Sequence, residues 1–532
     1  MNLENETKKL KPGTIRPFYR SFDYTGDAID FFAKLSDYGK KKDCILLESA
    51  DIIKKYGEKS IGSSDPCLKV KGREEDFEIT ALNELGQRFL KFIHRDLAFA
   101  DELKISRKKI TGKLKKKNEF VSEEERLKLK THADILRLIA FKFRPAIKPF
   151  PVYAGLFGVI GYDFIDQFED LPKNNEDLLN QPDYEMNFYD NLFIIDHKNQ
   201  SIIFVANALI IDNNQEEEAQ RCSQIIDSYR EVMKTDSPEK KRASGKIILE
   251  SDTSKEEFMQ KVNRLKEKIK EGDVFQVVLS RTISTEINAE PLDIYRKLRM
   301  LNPSPYMFYF NNSSGVLLGS SPETFLRVEG EKIKKVEIRP IAGTKPRGII
   351  NGKIDPDLDS RYESELKLDE KELAEHTMLI DLARNDVARI SEPGTRYCNE
   401  PFIVEKYSHV QHLVSNVSGT LKRDLDALHA YLASMNMGTL TGAPKVEAMK
   451  LIRQYEKNKR GFYGGSIGYL TPSGDFDSAI IIRSMNIQKK HAYIRAGAGI
   501  VYDSDPEREF DETEKKADAC VKAIKLAQGE SE

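Results

Sequence analysis

Strand-like segments in this chain come in runs, and its helical stretches lie between the runs instead of following every strand. In the second half, Val274–Ser280, Tyr306–Phe310, Val316–Leu318, Phe325–Val328 and Ile333–Ile338 read as short strands. Ala479–Ile487 and Ala492–Val501 follow near the end, joined by Gln-Lys-Lys-His, the pattern of an antiparallel hairpin. Helical spacing of apolar residues marks Ser254–Lys270 and residues 369–391, 426–435, 443–457 and 506–527. This order predicts an α+β fold of largely antiparallel sheets packed with helices, not a doubly wound array of β-α-β units.

The first half predicts a short helix at Asp27–Leu35 and strands at Cys44–Ser49, Ala154–Tyr162, Asn191–Ile195 and Ser201–Val205. Ser122-Glu-Glu-Glu125 reads as a capping box opening a helix to about Phe141. The basic segment before it, Ser106–Asn118, has no interleaved aromatics and reads as a solvated loop, not a nucleic-acid site. Thr235–Gly245 is polar and carries Pro and Gly, so the expected domains are 1–240 and 246–528.

Composition narrows the setting. The 84 basic and 86 acidic residues leave a net charge of -2, too little to draw in nucleic acid. Cys44, Cys67, Cys222, Cys398 and Cys520 are scattered without paired spacing, as free thiols in a reducing compartment are. No apolar leader is visible, and the longest apolar runs fall far short of the ~18 residues that span a bilayer. The expectation is a cytoplasmic protein with no nucleic-acid or membrane partner.

Two acidic helix faces carry the candidate chemistry. In Asp369–Ser391, the apolar or small residues Leu373, Thr377, Ile380 and Ala383 keep helical spacing, and Glu372, Glu375, His376 and Leu379 share the adjoining face. Carboxylates one turn apart beside a buried stripe can hold a hard cation or divide acid and base roles. Such pairs also recur by composition alone in so acidic a chain, so their companions decide. Asp505-Pro506 starts a second helix, on which Glu509, Glu512 and Lys516 share a face beside the stripe Phe510, Thr513, Ala517, Cys520, Val521 and Ile524. Just before it, Gly497 and Gly499 alternate along a strand, where missing side chains admit a ligand or another strand.

Seven ordered motifs join these faces: Arg339–Gly348 (RPIAGTKPRG), Ala374–Asp386, Val410–Gly419, Leu440–Lys445, Gly461–Gly465, Ile482–Ser484 and Pro506–Thr513. With them the chain resembles the anthranilate synthase large subunits among the chorismate-utilising enzymes, densely from about Gly272 to Ala519 and more sparsely in the first half. The resemblance implies a β-sandwich core with an N-terminal regulatory and a C-terminal catalytic part, and a lyase acting on chorismate. It implies Mg²⁺ held by Glu375 and Glu512, and Glu372 as the acid for the departing hydroxyl. It places Tyr463 and Arg483 on the enolpyruvyl carboxylate, Gly343, Thr344, Gly497 and Gly499 around the substrate, and Lys516 near its ring carboxylate. His412 resembles the family histidine needed for pyruvate elimination.

Two positions separate the relatives. Isochorismate formers carry a water-activating lysine where this chain has Gln276, and aminodeoxychorismate synthases usually carry a nucleophilic lysine where it has Ala342. Anthranilate formation is the reading left, with aminodeoxychorismate synthesis or a catalytically silent amino-acid-binding regulator as alternatives. No cysteine sits in a glycine-flanked elbow, so the resemblance implies a separate glutamine amidotransferase subunit as the source of ammonia. Leu46–Ala50 and Asn302–Met307 resemble the family's regulatory pocket, in which Glu48, Ser49, Pro305, Tyr306 and Met307 would contact tryptophan as feedback inhibitor.

Overall fold

The computed structural model describes residues 9–49, 59–116, 123–174, 176–238, 243–407 and 410–530. Two 13-stranded sheets face each other, and among the described residues every strand pair is antiparallel except the short contact of Thr14–Ile15 with Arg144–Pro145. Strands such as Gly155–Ile160, Tyr184–Tyr189 and Asn191–Asp196 are buried throughout. That accounts for their nearly unbroken apolar runs, since both faces are covered. Phe157, Phe188, Leu317, Phe325 and Val336 belong to the core between the sheets. A second core packs helices onto the outside of one sheet through Phe31, Phe204, Tyr229, Leu298, Cys520 and Ile524.

Residues 1–240 and 246–528, expected as two domains, both contribute to each sheet. Ile45–Glu48 pairs with Tyr306–Asn312 in one, and Gly155–Ile160 with Ser466–Leu470 in the other. Among the described residues strand pairing therefore crosses the expected boundary once in each sheet, and the polar stretch around it (residues 239–242 lie outside the described ones) links two parts of one sandwich.

The helices at the site end where their capping chemistry says they should. Asp369 accepts hydrogen bonds from the amides of Lys371 and Glu372 at the head of Glu370–Ile390. Asp505 does so for Arg508 at the head of Pro506–Ala527, with Pro506 where no amide donor is needed. Helices Gln215–Lys234, Pro291–Leu301 and Pro356–Leu368 add to those expected.

Three local expectations are corrected. The helix expected to Phe141 is two pieces, Glu123–Arg126 and His132–Ala140, the second opened by its own Thr131–Asp134 capping box. Ser122 of the expected box lies outside the described residues. Within the basic loop, Lys109–Lys113 is a strand paired with Asp76–Ala81, its Ile110 fully buried while the lysines face outward. The expected strand Ala479–Ile487 is two strands, Phe476–Ile480 in one sheet and Ser484–Gln488 in the other. Between them the backbone changes sheet, and Arg483 adopts a left-handed φ of 48°.

Candidate active site

The paired strands Gln276–Glu286 and His491–Ile500 form one wall, setting Val278 opposite Gly499 and Ser280 opposite Gly497. Helix Pro506–Ala527 packs on the second of them, and helix Glu370–Ile390 packs on Ile341–Pro346 and Val410–Thr420. The buried face of the latter runs through His376, Leu379, Ile380, Ala383, Val387 and Ile390. Thr377, expected in the apolar stripe, is exposed and turns its hydroxyl back to the Leu373 carbonyl at 2.7 Å. His376 is spent inside the core on Ser415, 2.8 Å away.

Glu372 and Glu375 stand half-buried at the edge of that face, and Glu512 at the edge of the facing helix. Burial is the first cause raising the Glu372 pKa, and the charges of Glu375, Asp369 and Glu512 push it further up. Acids from both helices thus act on one carboxyl. The Gln276 amide donates to Glu375 at 2.8 Å, while Lys516 pairs with Glu512 at 2.6 Å and donates to the Gly497 carbonyl at 2.9 Å. A Cβ at Gly499 would lie 2.7 Å from the Gln276 amide nitrogen and 3.8 Å from Glu375 Oε1, so the missing side chain keeps this corner open. Gly343 combines a φ of 66° with a position where a Cβ would come within 3.0 Å of Glu372 Oε2.

The bulged strand Ile341–Pro346 sets Thr344 opposite His412. His412 Nδ1 lies 3.0 Å from the Gly343 carbonyl and 3.1 Å from the Thr344 hydroxyl. A carbonyl only accepts, so Nδ1 carries the proton and Nε2 is left with its lone pair. Burial, with Arg483 acting in the same direction, holds the His412 pKa down at about 4, so the ring is neutral at pH 7. Arg483 has its own pKa lowered by burial, and no acceptor among the described residues bonds its guanidinium. A cation enclosed in this way awaits an anion. Tyr463 stands beside it with a hydroxyl 3.0 Å from where a Cβ on Gly497 would be, and burial pushes its pKa up to about 12.

Two features of the site have no short-range sequence signal. Glu456 lies fully inside, accepting from the Ser280 amide and hydroxyl at 2.8 Å each, from Arg460 at 2.6 and 2.9 Å, and from Arg495 at 2.7 Å. Both guanidiniums also approach the Tyr463 ring, at 5.8 and 5.9 Å from its centre. Glu323, in the turn between Gly315–Ser321 and Thr324–Glu329, is buried without an ion-pair partner among the described residues. Burial raises its pKa to about 8, with Thr439 and Lys516 offsetting only part of the cost.

No cluster of three or more His, Cys, Asp or Glu suited to a metal occurs among the described residues. Glu375 and Glu512, with Gly499 leaving the first open, fit a small hard ion that completes its shell with water and substrate oxygens.

The residues expected to bind a regulator form a separate site. Glu48, Ser49, Pro305, Tyr306 and Met307 all line one cavity of about 360 Å³ where the two halves of the chain meet, with Met307 opposite Glu48 in the sheet. Glu48 is held by Tyr295 at 2.6 Å and Ser60 at 3.2 Å, and the buried Ser49 hydroxyl has no partner among the described residues. Phe150 and Ile194 add apolar wall, and the far side carries Arg327 with its partner Asp477 at 3.2 Å. Ala50 lies outside the described residues.

Residues 99–522 match the family of chorismate binding enzymes. Anthranilate synthase component 1 of Vibrio cholerae is 41% identical over 535 residues, covering 99% of each chain. That of Haemophilus influenzae is 40% identical over 496 residues, covering 90% of this chain and 92% of its own. Among solved structures, anthranilate synthase component I from Streptococcus pneumoniae superposes with a TM-score of 0.69 at 29% identity, over 87% of this chain and 92% of its own. The menaquinone-specific isochorismate synthase MenF of Escherichia coli shares the fold, with a TM-score of 0.63 at 17% identity over 98% of each chain.

Proposed function

Because the chain belongs to the chorismate binding enzymes, we propose that it converts chorismate and ammonia to anthranilate and pyruvate, as the large component of an anthranilate synthase. The observation that carries this reading is one site that joins Tyr463, an Arg483 without an acceptor among the described residues and acids of two helices, while Ala342 and Gln276 offer no amine. A dicarboxylate fits that polarity. Arg483 and Tyr463 take the enolpyruvyl carboxylate by charge-assisted hydrogen bonds, and Gly343, Thr344, Gly497 and Gly499 leave the ring room to lie against backbone. When bound, Mg²⁺ on Glu375 and Glu512 neutralises the ring carboxylate and fixes its orientation.

Ammonia adds to the ring as the hydroxyl leaves with a proton. Glu372, expected as that donor, has its pKa raised by burial and by Glu375, Asp369 and Glu512, whereas Glu323, raised to about 8 by burial, arrives protonated at neutral pH. Glu323 is therefore the proton donor this reading prefers. His412, neutral and with its Nε2 lone pair, then takes the ring proton as the ring C–O bond breaks and the ring becomes aromatic, and the departing enolpyruvate takes up a proton at its methylene carbon to become pyruvate.

The relatives' naming as component 1 supports a second subunit, here read as a glutaminase that supplies ammonia. The separate cavity at Glu48 and Ser49 supports regulation by tryptophan, and five free thiols suit a cytoplasmic setting. The chain with chorismate, Mg²⁺ and ammonium should produce fluorescent anthranilate without its partner, and no isochorismate when ammonium is withheld. Aminodeoxychorismate as the main product would move the chain to the neighbouring activity. Binding of tryptophan without any turnover would make it a silent regulator.

A further inference from the structure

The cavity at Glu48 and Ser49 has its far wall on the opposite sheet, and that wall is made of strands that continue to the substrate site. Arg327 lies on Thr324–Glu329, Asp477 and Ala479 on Phe476–Ile480, and Ile467 on Ser466–Leu470. The three strands are neighbours, since Ala479 pairs with Thr324 on one side and with Ile467 on the other. Each ends close to a residue of the site. Glu323 immediately precedes the first strand, Arg483 follows the second by three positions, and Tyr463 precedes the third by three. The Ile480 amide also donates to the Glu323 carbonyl at 3.0 Å, so the backbone of the proton donor is tied to the residue next to Ala479.

One side chain of the cavity reaches this backbone. The Tyr306 hydroxyl lies 3.0 Å from Asp477 Oδ1, 3.1 Å from the Thr324 hydroxyl and 3.2 Å from the Arg327 guanidinium. Burial and the Asp477 charge raise the Tyr306 pKa, so the phenol keeps its one proton. The Asp477 carboxylate only accepts and takes that proton's hydrogen bond, which leaves the phenol oxygen to accept from Arg327 and Thr324. Thr324 is 7% exposed and stands one step behind the cavity wall, between Tyr306 and Glu323. The strand is bulged there: Thr324 pairs with Ala479 but Leu326 with Ser478, so Phe325 is the extra residue. A bulge is where a strand re-aims its side chains, and this one adjoins the proton donor.

We propose that Thr324 is a positioning residue for Glu323, and that its hydrogen bond to Tyr306 couples the regulatory cavity to the proton donor. The inference rests on the reading that tryptophan occupies this cavity and that Glu323 meets the leaving hydroxyl of chorismate. An occupant that draws the phenol away releases Thr324 and the backbone that sets Glu323, while chorismate favours the bonded arrangement. Thr324→Val and Thr324→Ala remove the hydroxyl, and Thr324→Ser keeps it. The fluorescence of added tryptophan gives its Kd for each folded variant with and without saturating chorismate and Mg²⁺, ammonium being withheld, and the ammonium-supported assay gives kcat. One neutral hydrogen bond is worth at most about tenfold. Both hydroxyl-free variants should lose about three- to tenfold in kcat and bind tryptophan alone within about twofold of the parent. In both, chorismate should change the tryptophan Kd by no more than about twofold, so the coupling is lost. Thr324→Ser should match the parent in all three measurements. The inference falls if the hydroxyl-free variants keep the parent's coupling, or if they lose only one of kcat and coupling. It falls equally if Thr324→Ser behaves as they do, since packing and not the hydroxyl is then responsible, or if they lose tryptophan binding itself, which makes Thr324 part of the cavity. The unmodified chain is measured first: if it makes anthranilate and binds no tryptophan, the regulatory reading is what fails, and the coupling fails with it.

Discussion

Replacing Glu323 by glutamine separates the proton this residue carries from the space it fills. Burial, only partly offset by Thr439 and Lys516, raises its pKa from 4.5 to about 8. At pH 7 about nine tenths of folded molecules keep the proton, and at pH 9 about one tenth do. With chorismate saturating and neutral ammonia held constant, turnover should fall about tenfold per pH unit above 8. Glutamine has no proton to give at any pH, so Glu323→Gln should lose about 10²- to 10⁴-fold, the usual worth of a general acid. Stability moves the other way. The folded pKa lies above the unfolded one, so this group's contribution is whole below pH 4.5 and lost as pH rises through 8. The loss is about 3 kcal/mol at pH 7 and about 5 kcal/mol well above pH 8, an upper bound for a side chain free to rearrange. Glutamine escapes it. Urea unfolding should therefore find the inactive variant level with the parent near pH 4 and a few kcal/mol more stable at pH 9. A variant with parental turnover and an unchanged alkaline limb would refute the donor role. An inactive variant with no gain at pH 9 would refute the buried, protonated carboxyl itself.

Glu375→Gln and Glu512→Gln should each abolish Mg²⁺-dependent turnover with the fold intact, and each should lose the rise in melting temperature that Mg²⁺ with chorismate gives the parent. Near-parental activity and Mg²⁺ stabilisation in both would remove these residues from the metal site. Tryptophan should bind saturably at the Glu48–Ser49 cavity and be weakened by chorismate, since coupling between two sites is reciprocal. The chain has no tryptophan of its own, so the added ligand's fluorescence reports the binding directly, and Ser49→Phe should lose inhibition while keeping catalysis. Absence of binding to the parent would end the regulatory reading and leave the catalytic one standing.

What the sequence made legible was local. Helices Glu370–Ile390 and Pro506–Ala527 announce themselves by Asp caps, a proline at the first turn and helical spacing, and the closing hairpin by its alternation and turn. The site residues were legible through ordered motifs and not through periodicity, which could not tell the Glu372–Glu375 pair from the many acidic pairs of a charged chain. Long-range pairing was hidden. Ile480-Ile-Ile-Arg483 reads as uninterrupted strand, yet the backbone leaves one sheet and enters the other there, and only that crossing turns Arg483 into the site. Glu323 gave no signal because a polar residue in a short turn between strands is ordinary; what raises its pKa is burial. A polar linker likewise says nothing about which sheet the strands on either side will join, and both stretches supply strands to each sheet.

The charges around the site divide it into two ends, and the division explains why a metal belongs to the chemistry. At one end, Arg460 and Arg495 share Glu456 beneath Tyr463, and Arg483 beside it has no acceptor among the described residues. That end receives a carboxylate unaided. At the other end Lys516 pairs with Glu512 and the neutral Gln276 amide donates to Glu375. A second substrate carboxylate placed about 4 Å from either acid would meet a repulsion of about 4 kcal/mol per pair at an effective dielectric near 20. Lys516 already answers Glu512 and cannot cancel both contacts. On the proposed reading, a divalent cation at the acidic end would offset that repulsion for the second carboxylate. On that reading, the acids that would repel the bare substrate carboxylate are the ones a bound cation would turn into its anchor.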